Sequence, residues 1–227
     1  MKERYSRNMT ALSADEAAAL HTKKVCVIGC GGLGGYIIEI LARIGVGYIT
    51  AVDCDVFEES NLNRQILSSE SQLGTSKAEM AVRRIADVNS DVNINGLNVR
   101  FDESNGADIL KGHDIVMDAL DNIDTRLLVS KICKSLNIPL VHGSIGGWYG
   151  QVASILPGDD TMEKIYQNVK QEKGIEATLG NLPFTVSAIA SLQCAECIKI
   201  LSGKGEILRH SLYHIDLLDN EFCVISL

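Results

Sequence analysis

A glycine-rich turn carries the strongest chemical signal in the sequence. It follows a short apolar run and fits the spacing G-x-G-x-x-G, with glycines at Gly29, Gly31, Gly32 and Gly34. Glycines at this spacing let the backbone approach a phosphate, and the N-terminus of the following helix supplies N–H donors and a partial positive charge. Asp53 ends the next predicted strand, where an acidic residue typically binds ribose hydroxyls. Together these residues predict a nucleotide site, whereas the turn alone would also fit a tight strand-to-helix connection without a ligand.

Two cations that follow Asp53 favour a triphosphate over a dinucleotide. Arg64 lies in the polar run 60–65 (SNLNRQ), and Lys77 comes at the start of the next predicted helix. A guanidinium and an ammonium neutralise different oxygens of a polyphosphate, whereas the diphosphate of a dinucleotide is served mainly by the glycine turn. Solvated charges on helix surfaces are the alternative interpretation of both residues.

Two carboxylates come at the end of the fourth predicted strand, where ligands bind in open α/β sheets. They are Asp118 and Asp121. A carboxylate beside a phosphate needs a cation between them, and Mg²⁺ is the natural candidate because it takes oxygen ligands and bridges phosphates. We expect Asp121 to hold the metal and Asp118 to face the sheet as a buried, hydrogen-bonded carboxylate. His142, at the end of a later strand, is expected to be a core histidine with satisfied hydrogen bonds.

Alternating strands and helices must position these residues. The predicted strands are Lys24–Gly29, Tyr48–Asp53, Val92–Phe101, Asp114–Leu120 and Ile138–His142, and the predicted helices between them are Leu33–Ile44, Ser76–Val88 and Thr125–Leu136. The first strand is continuously apolar, as in a parallel sheet that is covered on both faces. This order predicts an α/β fold: a Rossmann-like, doubly wound, mostly parallel sheet with helices on both faces.

The two ends of the chain depart from this alternation. Residues 1–22 are predicted to form an N-terminal helical arm, with a capping box at Ser13–Glu16. Residues 161–182 have weak periodicity and many charges, and are predicted to form a mobile crossover loop with a short helix. The remaining predicted elements are a strand over Gly150–Leu156, an apolar helix over Phe184–Leu201, and antiparallel C-terminal strands over Leu208–Leu217 and Glu221–Leu227. We expect one domain over residues 1–227.

Composition narrows the possible function classes. The chain of 227 residues carries 21 basic and 29 acidic side chains, a net charge of −8, which argues against non-specific nucleic-acid binding. Met1–Lys24 is polar, and the apolar stretches elsewhere are of strand length or interrupted by charge, so neither a leader nor a transmembrane helix is expected. Seven cysteines, an odd number, indicate free thiols and a cytoplasmic protein.

Several motifs, in order along the chain, resemble the MoeB/ThiF/HesA family, relatives of the adenylation domain of ubiquitin-activating enzymes. The matching pieces are 4–8 (RYSRN), the glycine turn, 52–55 (VDCD), 60–65 (SNLNRQ), 74–79 (GTSKAE), 118–122 (DALDN) with Arg126, 150–151 (GQ), 191–193 (SLQ) and 195–196 (AE). The resemblance implies an adenylyltransferase that uses ATP and Mg²⁺. Its substrate would be the C-terminal carboxylate of a small ubiquitin-like sulfur-carrier protein ending in Gly-Gly, in thiamine, molybdopterin or related sulfur-transfer biosynthesis.

The resemblance also implies roles for individual residues. Gly32 would lie against the nucleotide phosphates, and Asp53 would bind the ribose. Asn61, Arg64 and Lys77 would contact the phosphates, Asp121 would hold Mg²⁺, and Asn122 would lie beside the nucleotide. Asp55 and Ser60 would belong to the same nucleotide-binding set. Arg7 resembles an arginine that reaches into the site of the partner subunit, which implies a homodimer.

The sequence departs from the family pattern at its cysteines. Many members hold a structural zinc in two Cys-x-x-Cys pairs, but Thr161–Gln167 contains no cysteine and the C-terminal region has only Cys223. Cys194 and Cys197 lie one turn apart in a predicted helix, where core packing is expected, and a structural zinc needs four ligands. No structural zinc is therefore expected. Residues 176–180 (EATLG) also lack the transfer cysteine of some members, so another protein is expected to supply sulfur.

Three other functions stay open at this point. A nicotinamide-dependent oxidoreductase would explain the glycine turn and Asp53 but not Asn61, Arg64 or Lys77. A nucleotide-binding partner protein without activity would fit the missing cysteines. Adenylation of a non-protein carboxylate, such as a modified base on tRNA, fits less well with the negative net charge. Trp148 and Tyr149 are expected either to form an apolar groove wall for a peptide tail or to pack in the core.

Overall fold

The computed structural model describes residues 2–169 and 176–227. Its helices are α1 (Ala14–Leu20), α2 (Gly32–Ile44), α3 (Lys77–Val88), α4 (Gly106–Leu110), α5 (Ile123–Leu136), α6 (Thr161–Tyr166), α7 (Glu176–Leu179) and α8 (Pro183–Ser202). Its strands are β1 (Lys24–Ile28), β2 (Tyr48–Val52), β3 (Asn93–Leu97), β4 (Ile115–Asp118), β5 (Leu140–Gly146), β6 (Tyr149–Ile155), β7 (Ser211–Asp216) and β8 (Glu221–Ser226). A 3-10 helix over Glu3–Asn8 precedes α1.

All eight strands form a single sheet in the order β3-β2-β1-β4-β5-β6-β7-β8. The first five are parallel, and β6, β7 and β8 are added antiparallel. The chain moves outward from β1 in both directions, to β2 and β3 on one side and to β4 and β5 on the other. This confirms the predicted fold class, a Rossmann-like, mostly parallel sheet with antiparallel C-terminal strands.

The sheet is covered on both faces, which explains the continuously apolar β1. Val25 and Val27 pack into a core shared with α2, α3 and α8, whereas Cys26 and Ile28 pack into a core shared with α4, α5 and α6. Alternate residues of one strand thus enter two different cores. Ser13 caps α1 with the predicted capping box, and Gly45 ends α2 in the left-handed conformation.

The largest differences from the predicted elements lie at strand ends. β3 stops at Leu97, whose carbonyl accepts the Asp53 N–H, because β2 ends at Val52 and offers no further partner. β5 extends beyond His142 to Gly146, since it pairs with β6 across a tight turn in which Gly147 has a φ of 57°. Helix α4 was not predicted, because a helix of 5 residues is too short to show a clear hydrophobic period.

The crossover between β6 and α8 contains two short helices. The range 161–182, predicted as a mobile loop, includes α6 and α7, and its residues 170–175 lie outside the described part of the chain. Helix α6 is anchored in the core by the buried side chains of Met162 and Tyr166. The mobility of this range stays a prediction.

Helix α8, with 20 residues the longest of the described helices, is long and apolar enough to cross a membrane, with a mean hydropathy of 1.4 over an 18-residue window. Buried helices of folded domains pass the same test. Here α8 packs across α2, β5 and β6. It also carries buried polar groups with partners inside the protein: Gln193 donates to the Asp118 carbonyl at 2.8 Å, and Glu196 accepts from the Ser154 hydroxyl at 2.7 Å. These contacts are those of a core helix.

Candidate nucleotide-binding site

A cleft of about 330 Å³ opens at the carboxyl ends of β1, β2 and β4. This is the point where the strand order reverses, so the loops after β1 and β4 turn to opposite faces and leave a crevice between them. The cleft brings together most of the predicted site residues. Those that line it are Gly29, Gly31, Gly32, Asp53, Asp55, Arg64, Lys77, Asp121 and Asn122.

The glycine turn forms one wall of the cleft and leads directly into α2. Gly29 has a φ of 97°, and a Cβ there would lie 2.5 Å from the Ala119 carbonyl oxygen. Helix α2 begins at Gly32, which lines the cleft, so the unpaired N–H groups of its first turn lie at the cleft. Gly31 leaves space on the ligand side, because its nearest neighbour is the flexible end of Gln65 at 3.5 Å. The turn is therefore shaped for an anion.

Asp53 joins the glycine turn to the end of β2. Its carboxylate accepts the backbone N–H of Cys30 at 2.7 Å and that of Asp55 at 2.8 Å. Burial raises the pKa of the Asp53 carboxyl, against these two donors and Lys77, which favour the charged form. Each carboxylate oxygen has a second lone pair, so Asp53 can still accept ribose hydroxyls from the cleft.

Lys77 is a buried cation at the first turn of a helix. Its backbone is held beside Asp55 by a short antiparallel bridge between Val56 and Ser76, and Ser76 caps α3. The Lys77 ammonium lies 3.0 Å from the Asp55 carboxylate, which is largely exposed. A cation at a helix N-terminus opposes the helix dipole, so its presence there indicates a partner of negative charge. Asp55 is that partner in the free protein.

Arg64 and Asp121 approach the cleft from its two sides. One guanidinium nitrogen of Arg64 donates to the Ser60 carbonyl and to the Asn63 side chain, both at 2.9 Å. Burial lowers the pKa of Arg64, whereas the nearby Asp121 carboxylate raises it. Asp121 itself is exposed, and within residues 2–169 and 176–227 its carboxylate takes no hydrogen bond. A carboxylate with open lone pairs beside an anion-binding turn fits a Mg²⁺ ligand.

The turn that carries Asp121 is fixed at both ends. Asp118 is fully buried and bonds to His142 Nδ1 at 2.7 Å, so His142 is the core histidine that was expected. Asn122 caps α5 by accepting the Thr125 N–H at 2.9 Å. Asn122 thus has two roles: it lines the cleft, and it is the N-cap of α5.

Four predicted site residues lie outside the cleft lining. A Cβ on Gly34 would come 1.8 Å from the Gly29 carbonyl oxygen, so this glycine lets helix and turn approach each other. Asn61 is buried and accepts the Glu58 N–H at 3.1 Å, which shapes the loop that carries Arg64. Ser60 is an exposed member of the same loop. Contact of these residues with phosphates stays a prediction.

Arg7, the fourth of these residues, lies far from the cleft of its own chain. The 3-10 helix Glu3–Asn8 packs at the opposite end of α2, where Asn8 donates to the Ile44 carbonyl at 3.3 Å and Tyr5 covers Gly45. The cleft is at the Gly32 end of this helix of 13 residues, about 20 Å away at 1.5 Å per residue. Arg7 is exposed, so it is available to another molecule.

The structure adds two polar residues to the site. Gln65 is 6% exposed, lines the cleft, and has an Oε1 atom without a hydrogen-bond partner among the described residues. A buried polar atom of this kind suits a bound ligand. Arg126 also lines the cleft, although its guanidinium points inward and donates to the Tyr166 hydroxyl at 2.8 Å. Both residues belong to motifs noted in the sequence, but neither was assigned to the site.

Of the seven cysteines, only Cys54 lines the cleft as described, and Cys30 lies beside it because its N–H donates to Asp53. Cys194 and Cys197 are buried in α8, and burial raises the pKa of both thiols. Buried thiols that hold their protons are poor metal ligands. The expectation that no structural zinc binds here stays a prediction.

Trp148 and Phe184 form an apolar pair next to the bridge between Gly147 and the cleft residue Asn181. Their ring centroids lie 4.8 Å apart, and the two side chains are 39% and 43% exposed. The backbone of this region meets the crossover, since the Gly147 N–H donates to the Gly180 carbonyl. Trp148 is therefore not a core residue, and of the two expectations for it the groove wall fits better. Tyr149 is half-buried and stacks on His214.

The chain is similar to known proteins in both sequence and structure. Residues 5–227 match the ThiF family. The SAMP-activating enzyme E1 of Haloferax volcanii is 35% identical over 224 residues, which are 97% of this chain and 83% of that protein. A probable adenylyltransferase/sulfurtransferase MoeZ of Mycobacterium tuberculosis is 34% identical over 99% of this chain, and the match spans 59% of MoeZ. The chain thus spans most of one relative and little more than half of the other.

Solved structures agree on the fold. A crystal structure of E. coli MccB with ATP superposes with a TM-score of 0.86 at 24% identity, covering 100% of this chain and 72% of MccB. At that identity the likeness concerns the fold alone. The match to the ThiF family and the similarity to the sequence relatives also show common ancestry. Several of these relatives are named as adenylyltransferases. The chain belongs to the ThiF family, in its adenylyltransferase branch.

Proposed function

We propose that this chain adenylates the C-terminal carboxylate of a small ubiquitin-like sulfur-carrier protein ending in Gly-Gly, with ATP as donor and pyrophosphate as product. One observation carries the proposal: a single cleft unites the glycine turn, Arg64, Lys77 and Asp121. Relatives whose names describe activation of such carriers, the SAMP-activating enzyme E1 and a probable molybdopterin-synthase adenylyltransferase, support the choice of substrate. The pathway, whether thiamine, molybdopterin or another, follows from the carrier.

The reaction needs alignment and charge neutralisation more than proton transfer. A carboxylate is already ionised at neutral pH, so it attacks the α-phosphorus without a general base. The obstacle is that nucleophile and phosphate are both anions. Preorganised cations and N–H donors reduce this repulsion as charge develops on the leaving pyrophosphate. The cleft supplies Arg64, Lys77 and the N-terminus of α2 for this purpose.

Each cleft residue has a distinct part in this proposal. Asp53 accepts the ribose hydroxyls, Gly31 and Gly32 admit the phosphates, and Arg64 and Lys77 bind phosphate oxygens. Asp121 is the residue that would hold Mg²⁺, which when bound supplies further charge neutralisation on the phosphates. Asn122 and Gln65 contact the nucleotide from opposite walls.

The carrier tail enters the cleft beside the Trp148–Phe184 pair. Asn181 and Val186 line the cleft, and Asn181 forms a β-bridge with Gly147, the residue before Trp148. A Gly-Gly tail is narrow, so it can pass between this pair and the glycine turn. Sulfur transfer to the acyl-adenylate is assigned to another protein. The seven cysteines are all free thiols, which supports a cytoplasmic setting.

A homodimer would complete the site with Arg7. Because Arg7 lies about 20 Å from the cleft of its own chain, it serves a cleft only if a second copy presents it. Mixing Arg7→Ala chains with Lys77→Ala chains therefore restores activity, since each mixed dimer has one cleft with Lys77 and a partner with Arg7. Random exchange gives about a quarter of wild-type activity. Mixtures no more active than the separate variants would refute an arginine acting in trans.

The direct test is ATP–pyrophosphate exchange with Mg²⁺ against small candidate carriers ending in Gly-Gly. We expect exchange that needs the intact tail and is lost in Asp121→Ala, but not in Asp124→Ala, an exposed aspartate on the next turn. Mg-ATP binding without exchange for any carrier would point instead to a non-protein carboxylate or to a non-catalytic partner protein. Binding of NAD in place of ATP would overturn the assignment.

A further inference from the structure

A buried polar cluster lies directly beneath the cleft, and the proposed reaction does not use it. His142 and Asp118 are fully buried and bonded at 2.7 Å. On its other side, His142 Nε2 lies 3.2 Å from the Tyr166 hydroxyl and 3.4 Å from the Gln151 amide nitrogen. Arg126 donates to the same hydroxyl at 2.8 Å. The cluster therefore joins four elements, β4, β5, α5 and α6, with β6 at its edge.

The hydrogen bonds of this cluster have a defined direction. Asp118 can only accept, so His142 Nδ1 carries the proton and Nε2 is an acceptor. Nε2 then accepts from the Tyr166 hydroxyl, and this hydroxyl in turn accepts from Arg126. Burial lowers the pKa of His142 although Asp118 opposes it, in agreement with a neutral ring. Each member thus depends on its neighbour for its orientation.

The cluster reaches the cleft through one backbone atom. The second terminal nitrogen of Arg126 donates to the carbonyl of Leu120, the residue before Asp121. The same short segment is held from below, because Asp118 accepts the Leu120 N–H at 3.0 Å and Gln193 donates to the Asp118 carbonyl at 2.8 Å. The backbone that carries the Asp121 carboxylate is therefore fixed by Asp118 and Arg126 together.

We propose that Tyr166 and His142 are positioning residues, which act through Arg126 and Asp118 to hold Asp121 where it binds Mg²⁺ with the nucleotide. This inference rests on the proposed function in one respect, the assignment of Mg²⁺ to Asp121. The geometry favours positioning over simple core packing because the bonds converge on the Leu120–Asp121 segment. Apolar side chains would fill the same space between β5 and α6 without orienting that segment.

The proposal predicts an effect on metal dependence and not on nucleotide binding in general. The glycine turn, Asp53 and Lys77 make no contact with Tyr166, so affinity for ATP in the absence of metal stays the same in Tyr166→Phe. The Mg²⁺ concentration that gives half of the metal-dependent gain in ATP affinity rises about tenfold, the usual loss when a residue behind a metal ligand is removed.

The experiment is calorimetric titration of the full chain with ATP over a series of Mg²⁺ concentrations and without a carrier, so that no turnover occurs. Tyr213→Phe is the matched control, since Tyr213 is a partly buried tyrosine on β7, outside the cleft lining. His142→Asn is a second variant that keeps an N–H donor toward Asp118 and removes the acceptor of the Tyr166 hydroxyl. Melting temperatures are measured for all three variants.

The outcomes separate this inference from the proposed function. A selective rise in the Mg²⁺ requirement of Tyr166→Phe and His142→Asn supports the positioning role. An unchanged Mg²⁺ requirement, or an equal loss of metal-free ATP affinity together with a lower melting temperature, would show that the cluster is part of the core only. Wild-type chain that binds ATP without any response to Mg²⁺ would remove the metal from Asp121 and the proposal with it.

Discussion

The parallel part of the sheet and its C-terminal antiparallel edge differ in burial and in the position of their polar groups. In the parallel part, β1 and β4 are almost wholly buried and the polar groups concentrate at the carboxyl edge, where the cleft opens. In the C-terminal hairpin, every residue of β8 is exposed, including Phe222 and Val224. The sequence of the parallel part is explained by packing on both faces of the sheet and by the polar cleft at its edge. Strands β6 and β7 still contribute core residues such as Val152 and Ile215, but β8 has no buried residue, so packing within the described chain does not explain its sequence.

The sharpest test of this contrast is to remove the cleft cations. Arg64→Ala and Lys77→Ala should each lower carrier-dependent ATP–pyrophosphate exchange by about 10²–10³, because each removes a preorganised charge from the phosphate site. Arg83→Ala is the control, since Arg83 is an exposed arginine on α3 that pairs with Glu79 at 4.0 Å. Near-normal exchange in either cleft variant would remove that residue from the site.

The glycine turn offers a pair of variants with opposite defects. Gly34→Ala places a Cβ 1.8 Å from a backbone oxygen and should cost about 3 kcal/mol of folding stability. Gly31→Ala meets only a movable side chain at 3.5 Å, so it should fold normally and bind ATP about tenfold more weakly. Urea unfolding and ATP titration measure the two effects. Equal stability of both variants would contradict the packing role of Gly34.

Two valines compare the core of the sheet with its exposed edge. Val27→Ala in β1 removes fully buried methyl groups and should cost about 2–3 kcal/mol. Val224→Ala in β8 starts from a side chain that is 59% exposed and should stay within about 0.5 kcal/mol. Chemical denaturation of the dilute chain gives both numbers. A large loss at Val224 would mean that the hairpin is covered by another chain in solution.

His142 lies where the two parts meet, on the strand that pairs parallel with β4 and antiparallel with β6. Burial lowers the pKa of His142, and the positive charge of Arg126 lowers it further. Asp118 raises this pKa but does not outweigh burial. As the pH falls, His142 is therefore protonated in the unfolded chain before it is protonated in the folded protein. The free energy of unfolding decreases as the pH drops below about 6.5. The slope is at most about 1.4 kcal/mol per pH unit for one proton. His142→Asn removes this titrating group, so the pH dependence of its unfolding free energy should have a smaller slope than that of wild type. The slope should not vanish, because His113 and other groups still titrate.

The parallel part was largely predictable because its signals are local. The glycine turn, Asp53 and the apolar β1 are contiguous patterns with one structural solution, and the repetition of strand and helix predicted the parallel sheet. The position of Lys77 after Asp53 predicted that it belongs to the nucleotide site, and the structure places it in the cleft lining. The bridge that seats it beside Asp55 could not be predicted, since a single Val56–Ser76 pairing leaves no periodic signal.

The remaining parts of the site depend on contacts between distant segments. Tyr166 and Arg126 are 40 residues apart, and no spacing rule connects them. The burial of Gln65 depends on how its loop folds over Gly31. The location of Arg7 at the far end of α2 was equally hidden, because a polar N-terminal run does not indicate where it docks. Long-range packing, not local propensity, decides these positions.

The ion pair between Lys77 and Asp55 has a consequence for selectivity. The ammonium is already neutralised in the free protein, so an incoming anion must exchange places with a tethered carboxylate instead of finding a bare charge. A small singly charged anion has little to offer in that exchange. A polyphosphate that also occupies the glycine turn and Arg64 has several contacts with which to displace the carboxylate. In the proposed function, Asp55 would therefore act as a competitor that lowers the affinity of the cleft for the abundant simple anions of the cell.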